Sequence, residues 1–559
     1  MLYSRSLIFI VLLSFAAIGS LSAQPAIKWE KTFGGSQPDV AQSIIQTRDG
    51  GYLIAGSTSS SDGDVTKYRG IWPQNDVWVV KISNDGTLEW EKTYGGGGDD
   101  NAYSVIQTFD GGYAISGSTS SNNGDILYSH GDYDCWILKI NNIGTIEWEK
   151  TFGGSGFDQA NSIIQTRDSN YIITGITNSN DDDIKGWHFG RLPDPVFNQD
   201  TISCFDCFVA KISNTGTLLW EKTLGGSGID QGSFIIQTLD GGYAIAGSTS
   251  SKDGDVKGFH GKTTSDTTDA WVIKLDQTGE IEWQRTLGGS RYDLANSIIQ
   301  SKNGEYIVSG YTNSNDSDVS GFHSGGYKNQ YNDSVYYSDF WILNLSEQGS
   351  ILWQKCLGGT GDDIASAMIQ NPDGNVLIAG STESNDGDVI GFHSFPGIGF
   401  SDAWLVEVDR NGTLLWQKTY GKDSFFENAL SISLSPSNEY VLCGSSRPYG
   451  EYADFWIAKL FAEKSRMSDL PKVTEKDMFL FPDPNSGLGK INYSLEKSSQ
   501  VRIEAYDAIG RRVRIISDDY EESGIHERSF DLSEFPSGQY FIYLRSADVT
   551  AIKGIRLQK

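Results

Sequence analysis

Residues 41–58, AQSIIQTRDGGYLIAGST, decide the fold. Ala41–Thr47 reads as a strand, Arg48-Asp-Gly-Gly51 as a turn, and Tyr52–Thr58 as the returning partner. Asp-Gly and Gly-Gly between β-branched runs mark hairpins, because such turns need positive φ. After a loop of variable length, Asp76–Ile82 and Thr87–Lys92 repeat the device around Ser83-Asn-Asp-Gly86. No helical periodicity intervenes, so the unit is four antiparallel strands.

The unit recurs. A phrase Trp-Glu/Gln-Lys/Arg-Thr/Cys-aromatic/Leu-Gly starts at Trp29, Trp90, Trp148, Trp220, Trp283, Trp353 and Trp416, at intervals of about 64 residues. A unit of that size cannot bury its apolar face alone and must stack against its copies. Four-stranded units in this order read as propeller blades. A second set of aromatics, Trp78, Trp136, Trp271, Trp341, Trp404 and Trp456, with Phe208 in the remaining unit, falls once per repeat. Such residues suit the wedge between twisted sheets.

The strand count predicts how the ring closes. The Asp-x-aromatic strand occurs seven times, ending at Asp454–Leu460, and no Trp-x-Lys strand follows it. One such strand, Ile27–Phe33, stands alone near the start. The expected fold is all-β: a seven-bladed propeller over 25–462, with Trp29's strand crossing to become the outer strand of the last blade and remove an exposed edge. Residues 1–23 read as a secretory signal, with Arg5, an apolar Leu7–Ile18 and small residues to Ala23. That apolar run is too short to span a bilayer comfortably, and no second one follows, so no transmembrane segment is expected in the mature chain.

The formal net charge of −28 argues against a nucleic-acid partner, which relies on clustered Lys and Arg. Five Cys leave at least one unpaired. Cys204 and Cys207 could form a local disulfide, a redox pair or half a zinc site, and with no second CxxC the spacing argues against zinc. Cys135 and Cys207 occupy equivalent repeat positions, which favours plain burial.

A polar linker at 463–477, containing Pro471, precedes a second module at 478–559, where short strands suggest a small β-sandwich. Its motifs run in order: Phe481-Pro482-Asp483-Pro484-Asn485-Ser486-Gly487, then Val501–Arg511 with Tyr506 and Gly510, then Ser537-Gly538-Gln539-Tyr540 and a basic end at Lys553–Lys559. This module resembles the type A C-terminal sorting domain of type IX secretion, although that family usually has Asn where Asp483 stands. The resemblance implies export across both membranes of a Gram-negative envelope. It implies a secretion machinery and a sortase as partners, and release of the propeller or its attachment to the outer face of the outer membrane.

Candidate chemistry lies in the variable loops. Six carry an acidic phrase: Asp62-Gly-Asp64, Asn123-Gly-Asp125, Asp181-Asp-Asp183, Asp253-Gly-Asp255, Asp316-Ser-Asp318 and Asp386-Gly-Asp388. Five residues after the last Asp comes His130, His188, His260, His323 or His393, with Arg69 in the first loop. Hard carboxylates beside a turn Gly suit calcium, which needs six to eight oxygens where each loop offers two or three carboxylates. A transition metal and simple Asx turns are the competing readings. The Gly-Gly loops add Asp39, Asp100, Asp158, Asp230, Asp293 and Asp363, either as backbone caps or as an acidic ring at the channel mouth.

Aromatics beside the His positions, Trp187, Phe259, Phe322 and Phe392, and Tyr327, Tyr331, Tyr336 and Tyr337 in a long loop, are candidate ligand contacts. No nucleophile elbow, zincin motif or phosphate-cradling loop is present. The expected function is a secreted or cell-surface, non-catalytic binding or adhesion module for an extracellular protein or glycan. The alternatives are a glycan-active or other hydrolytic enzyme on the same scaffold, and a structural spacer.

Overall fold

The computed structural model describes residues 25–461 and 478–557, apart from 189, 193–201, 262–266, 324, 329–333, 394–399, 424, 483–486, 496, 508–511 and 547–549. The proposed signal and linker therefore lie outside the described residues. The chain divides into two compact units, one over Gln24–Ala462 and one in the C-terminal part from Glu463.

The first unit is a succession of antiparallel sheets in which chain order is spatial order. Sheet one runs Asp39–Gln46, Tyr52–Thr58, Asp76–Ile82, Leu88–Tyr94, from innermost to outermost strand. Sheets two to six repeat it with innermost strands at Asp100–Gln107, Asp158–Gln165, Asp230–Gln237, Asp293–Gln300 and Asp363–Gln370. The seventh has Ser431–Leu434 and Phe425–Glu427 against Tyr440–Pro448, then Asp454–Leu460, then Ile27–Phe33. Ile27–Phe33 pairs antiparallel with Asp454–Leu460, Thr32 opposite Trp456 and Phe33 opposite Phe455.

That closure copies the other sheets in detail. Within the ring, the Tyr94 hydroxyl donates to the Gly144 carbonyl of the next sheet's outer turn at 2.7 Å, and Lys92 reaches the same oxygen at 3.1 Å. Sheet seven has no outer turn. Its place is taken by Pro25, whose carbonyl accepts from Tyr420 at 2.7 Å and Lys418 at 2.9 Å. The start of the strand thus mimics a turn it does not possess.

Apolar clusters lie between successive sheets. Trp78 of sheet one is fully buried and meets Phe455 of sheet seven at 4.5 Å between ring centroids, and Phe340 meets Trp404 at the same distance. The outer tryptophans do a second job: Trp29 lies against Gly86, and its ring N–H donates to the Asn84 carbonyl at 3.3 Å. Gly86, with φ 82°, tolerates that close approach because it lacks a side chain.

Each innermost strand of sheets one to six carries a register shift near its middle, as between Ala102 and Ser104. A glycine of the second strand faces it; a Cβ on Gly117 would sit 1.7 Å from the Asn101 carbonyl oxygen. Nothing flexible is there to yield. Gly117→Ala is expected to cost about 3 kcal/mol or more through backbone displacement, read as a lowered thermal midpoint. An unchanged midpoint would contradict this packing.

All five cysteines are buried, and Cys135, Cys207, Cys356 and Cys443 carry free thiols. Cys207 is a free thiol, so the local disulfide gives way, and Cys135 and Cys207 sit in the core as small apolar side chains. Burial holds the Cys207 thiol up at about 12.

The second unit contains a three-stranded sheet (Met478–Pro482, Leu488–Leu495, Gly524–Asp531) and a four-stranded one (Arg512–Glu521, Ser499–Asp507, Gly538–Arg545, Thr550–Leu557). One apolar cluster, including Ile491, Val501, Phe530 and Ile542, joins them.

Candidate binding face

Antiparallel order puts the turns joining strands one to two and three to four at one end of each sheet. The loops joining strands two to three, and each sheet to the next, emerge at the other. The acidic phrases and the Gly-Gly loops therefore share a face, as their sequence positions predict.

There the acidic phrase works as a clasp on the Gly-Gly loop of its own unit. Asp62, Asp181, Asp253, Asp316 and Asp386 accept from the backbone N–H of Ser36, Ser155, Ser227, Ser290 and Thr360 at 2.7–2.8 Å. Asn123 does the same for Gly97 at 2.8 Å. The last residue of the phrase reaches the loop's first glycine: Asp64 to Gly34 at 3.1 Å, Asp125 to Gly95 and Asp255 to Gly225 at 3.2 Å, Asp318 to Gly288 and Asp388 to Gly358 at 3.4 Å. Asp183 engages through its own N–H, donating to the Gly153 carbonyl at 3.1 Å. Carboxylates aimed at N–H groups close a loop. Among the described residues no three acidic, His or Cys side chains converge as a metal cage requires.

The histidines tie sheet to sheet. His188, His260, His323 and His393 set Nδ1 at 2.9, 2.7, 2.8 and 2.7 Å from Asp206, Asp269, Asp339 and Asp402, the first residues of their own third strands. On the other side, Nε2 of His130, His260 and His323 faces Asp183, Asp318 and Asp388 of the following sheet at 3.5, 3.8 and 3.7 Å. Arg69 takes the same place and pairs with Asp125 at 2.5 Å.

Beneath them the Gly-Gly-loop aspartates take the first of their two readings, as caps of the loop backbone. Asp39, Asp100, Asp158, Asp230, Asp293 and Asp363 are fully buried rather than ringing an open mouth. Asp100 accepts from Gly96 N–H at 2.8 Å, from the Ser121 hydroxyl at 2.8 Å, and from Thr119. Each is also close to the third-strand Asp of the preceding sheet. Gly358 shows how close: its absent Cβ would lie 2.5 Å from Asp363 Oδ2 and 2.8 Å from Asp339 Oδ1. Two carboxyls deprived of water and facing one another cannot both ionise cheaply. Burial, then the facing carboxylate, lifts Asp76 to about 7, Asp206 to about 7 and Asp454 to about 6; burial, then Asp388, lifts Asp339 to about 6. Burial, opposed by hydrogen bonds, leaves Asp100 at about 6 and Asp363 at about 8. Sheet seven substitutes Glu427, raised to about 7 by burial and then by Asp402 beside it.

The aromatic candidates separate. Phe322 is buried in the core cluster between sheets four and five, which removes it as a ligand platform. Trp187, Phe259 and Phe392 are half-buried, and Lys252 Nζ lies 5.6 Å from the Phe259 ring centre. Tyr336 is exposed but stacked under Arg291 at 3.5 Å, and Tyr337 is half-buried. Tyr327 lies in the short strand Gly326–Lys328 paired with Ser334–Tyr336. Tyr331 lies outside the described residues. The most exposed apolar side chains of this face were not singled out from sequence: Ile71, Trp72, Leu127, Tyr128, Ile390 and Tyr449 are 55–83 % exposed. They belong to the loops of sheets six, seven, one and two, which are consecutive around the ring. No repeat marks them, so periodicity could not find them.

In the second unit, Tyr540 donates to the Pro536 carbonyl at 2.9 Å, and Gly487, with φ 75°, accepts from Leu532 N–H at 2.8 Å. Pro482 pairs opposite Gly489, and Gly538 opens the strand Gly538–Arg545. Pro484 and Gly510 lie outside the described residues.

Residues 479–557 match the family model of the secretion system C-terminal sorting domain. That match directs the chain to export by type IX secretion, to the cell surface or the extracellular space. No described helix is long and apolar enough to cross a membrane. A 196-residue stretch is 26 % identical to the regulatory protein FlaEY of Caulobacter vibrioides, covering 34 % of this chain and 20 % of that protein. The chain thus spans about a fifth of that relative. A protein of unknown function from Dyadobacter fermentans is similar over 78 % of this chain and 98 % of its own, at 10 % identity and a TM-score of 0.42. A puromycin hydrolase mutant is similar over 82 % and 59 %, at 9 % identity and 0.38. Likenesses at this level carry no argument about activity.

Proposed function

We propose that residues 25–462 form a non-catalytic recognition module, carried out of the cell by the sorting domain, which binds an extracellular protein or glycan through its variable-loop face. One observation carries this reading: Ile71, Trp72, Leu127, Tyr128, Ile390 and Tyr449 stand exposed on four consecutive loops. Exposed apolar side chains grouped on four consecutive loops of an exported protein mark an interaction surface. The carboxyl and imidazole groups nearby are committed to clasps and seams that recur around the ring, which supports a holding role for them rather than a catalytic one. Catalysis needs a nucleophile, base and orienter converging at one place.

The test is binding to glycan and extracellular-matrix protein arrays by the intact chain and by Trp72→Ser/Tyr128→Ser/Tyr449→Ser. A ligand held by the parent and weakened by about tenfold or more in the triple variant supports the assignment. Retained affinity, or turnover of an arrayed glycan, contradicts it.

A further inference from the structure

We infer that the opposite mouth of the channel is a second, separate binding site, shaped for an uncharged polyhydroxylated ligand, that is, a sugar. A cavity of about 670 Å³ opens there between sheets one, two, six and seven, with Gln46, Gln107, Pro372, Leu434 and Pro436 in its lining. It stands apart from the variable-loop face, so either proposal can fail alone.

The cavity sits where a repeated brace breaks. At the end of each innermost strand of sheets one to six stands a glutamine. Gln107, Gln165, Gln237 and Gln300 accept from the backbone N–H of the preceding sheet's turn, at Arg48, Phe109, Arg167 and Leu239, at 2.7–3.0 Å. Their amide nitrogens donate to their own turns at 3.2–3.3 Å. These carboxamides are consumed by the scaffold.

Gln46 is not. The turn it faces presents Pro436, which has no N–H to give. In sheet seven the glutamine is replaced by Leu434, and the turn before it presents Pro372. Among the described residues Gln370 keeps only the bond to its own turn, at 3.3 Å; at the two adjacent seams that follow, a proline leaves the brace no N–H, and the cavity lies there. The Gln46 carboxamide makes no hydrogen bond to another described residue and keeps a donor edge and an acceptor edge. Asn438 lies on the same wall, with Ile45, Ile106 and Leu434 beside it, whereas the Ser433 hydroxyl accepts from the Gln46 backbone N–H at 3.2 Å and the Ser435 hydroxyl from Glu439 N–H at 2.8 Å.

Among the described residues no charged side chain lines this cavity, in a chain of net charge −28. Phosphorylated or carboxylated ligands find no counter-ion there. A carboxamide matches a pair of neighbouring hydroxyls, and the aliphatic walls match the C–H face of a pyranose ring.

The experiment titrates the full chain with glucose, N-acetylglucosamine and maltose, followed by saturation-transfer NMR and calorimetry. One of these sugars is expected to bind, and Gln46→Leu to weaken it by about tenfold, the effect of one lost hydrogen bond. Pro436→Ala, which returns a turn N–H to occupy Gln46, should weaken it similarly, with thermal midpoints of both variants within a few degrees of the parent's. Absence of saturable binding, affinity unchanged in both variants, or preference for a neutral peptide over every sugar would overturn the inference.

Discussion

Removal of residues 25–34 is expected to open the ring, lowering the thermal midpoint by about 10 °C or more and exposing sheet seven to proteases. The segment supplies the outer strand of sheet seven, with Glu30, Lys31, Thr32 and Phe33 registered against Ala458, Ile457, Trp456 and Phe455. Without it, the backbone edge of Asp454–Leu460 lies bare and Tyr420 loses its Pro25 acceptor. Phe33, buried in the cluster shared by sheets seven and one, is lost too. Limited proteolysis beside calorimetry checks this. A truncated chain that melts with the parent and resists cleavage equally would show that the ring holds without its clasp.

The second large effect is a stability that falls as the medium turns from mildly acidic to alkaline. The seam carboxyls have folded-state values raised above the unfolded value near 3.8: Asp76 about 7, Asp206 about 7, Asp293 about 7 and Asp363 about 8. The folded chain therefore binds more protons than the unfolded chain between about pH 4 and pH 8, and stability drops as pH rises through that window. The contribution is complete below about pH 4 and gone above about pH 8.

A separate group acts at the acid end. Hydrogen bonds and a lysine hold Asp240 at about 2 and Glu439 at about 2; stability from these is present above the unfolded carboxylate range and lost as pH falls through their folded values. The two trends place the maximum near pH 5, with a midpoint about 5 °C or more above that at pH 8. Asp339→Asn, which removes one member of a seam pair, should flatten the alkaline limb. A midpoint that rises from pH 5 to pH 8 would mean these carboxyls are not held against one another.

Much of this architecture is legible before any coordinates, for a physical reason. Hairpins are local: Asp110-Gly-Gly112 dictates its turn from residues in sequence contact, and the recurrence of Trp29 to Trp416 announces the stacking. Even the closing strand follows from unmatched strand types, a long-range pairing that local propensity could not supply. The face shared by the acidic phrases follows from strand order alone. What the sequence hides is depth. Asp39 and Asp62 look alike on paper, yet Asp39 is fully buried in a seam and Asp62 is exposed in a loop clasp, because burial depends on the neighbouring sheet. Phe322 and Phe392 occupy equivalent positions, and only the former packs into the core. Features that occur once, such as Trp72, or Pro436 facing Gln46, carry no period and emerge only when sheets are placed side by side.

Hydrogen exchange of the intact chain, read peptide by peptide, tests the closed ring most directly. Amides of Ile27–Phe33 should exchange as slowly as those of the equivalent outer strand Leu88–Tyr94, and Asp454–Leu460 should be protected along both edges. Exchange of Ile27–Phe33 at the rate of an unstructured segment, with one edge of Asp454–Leu460 unprotected, would contradict it.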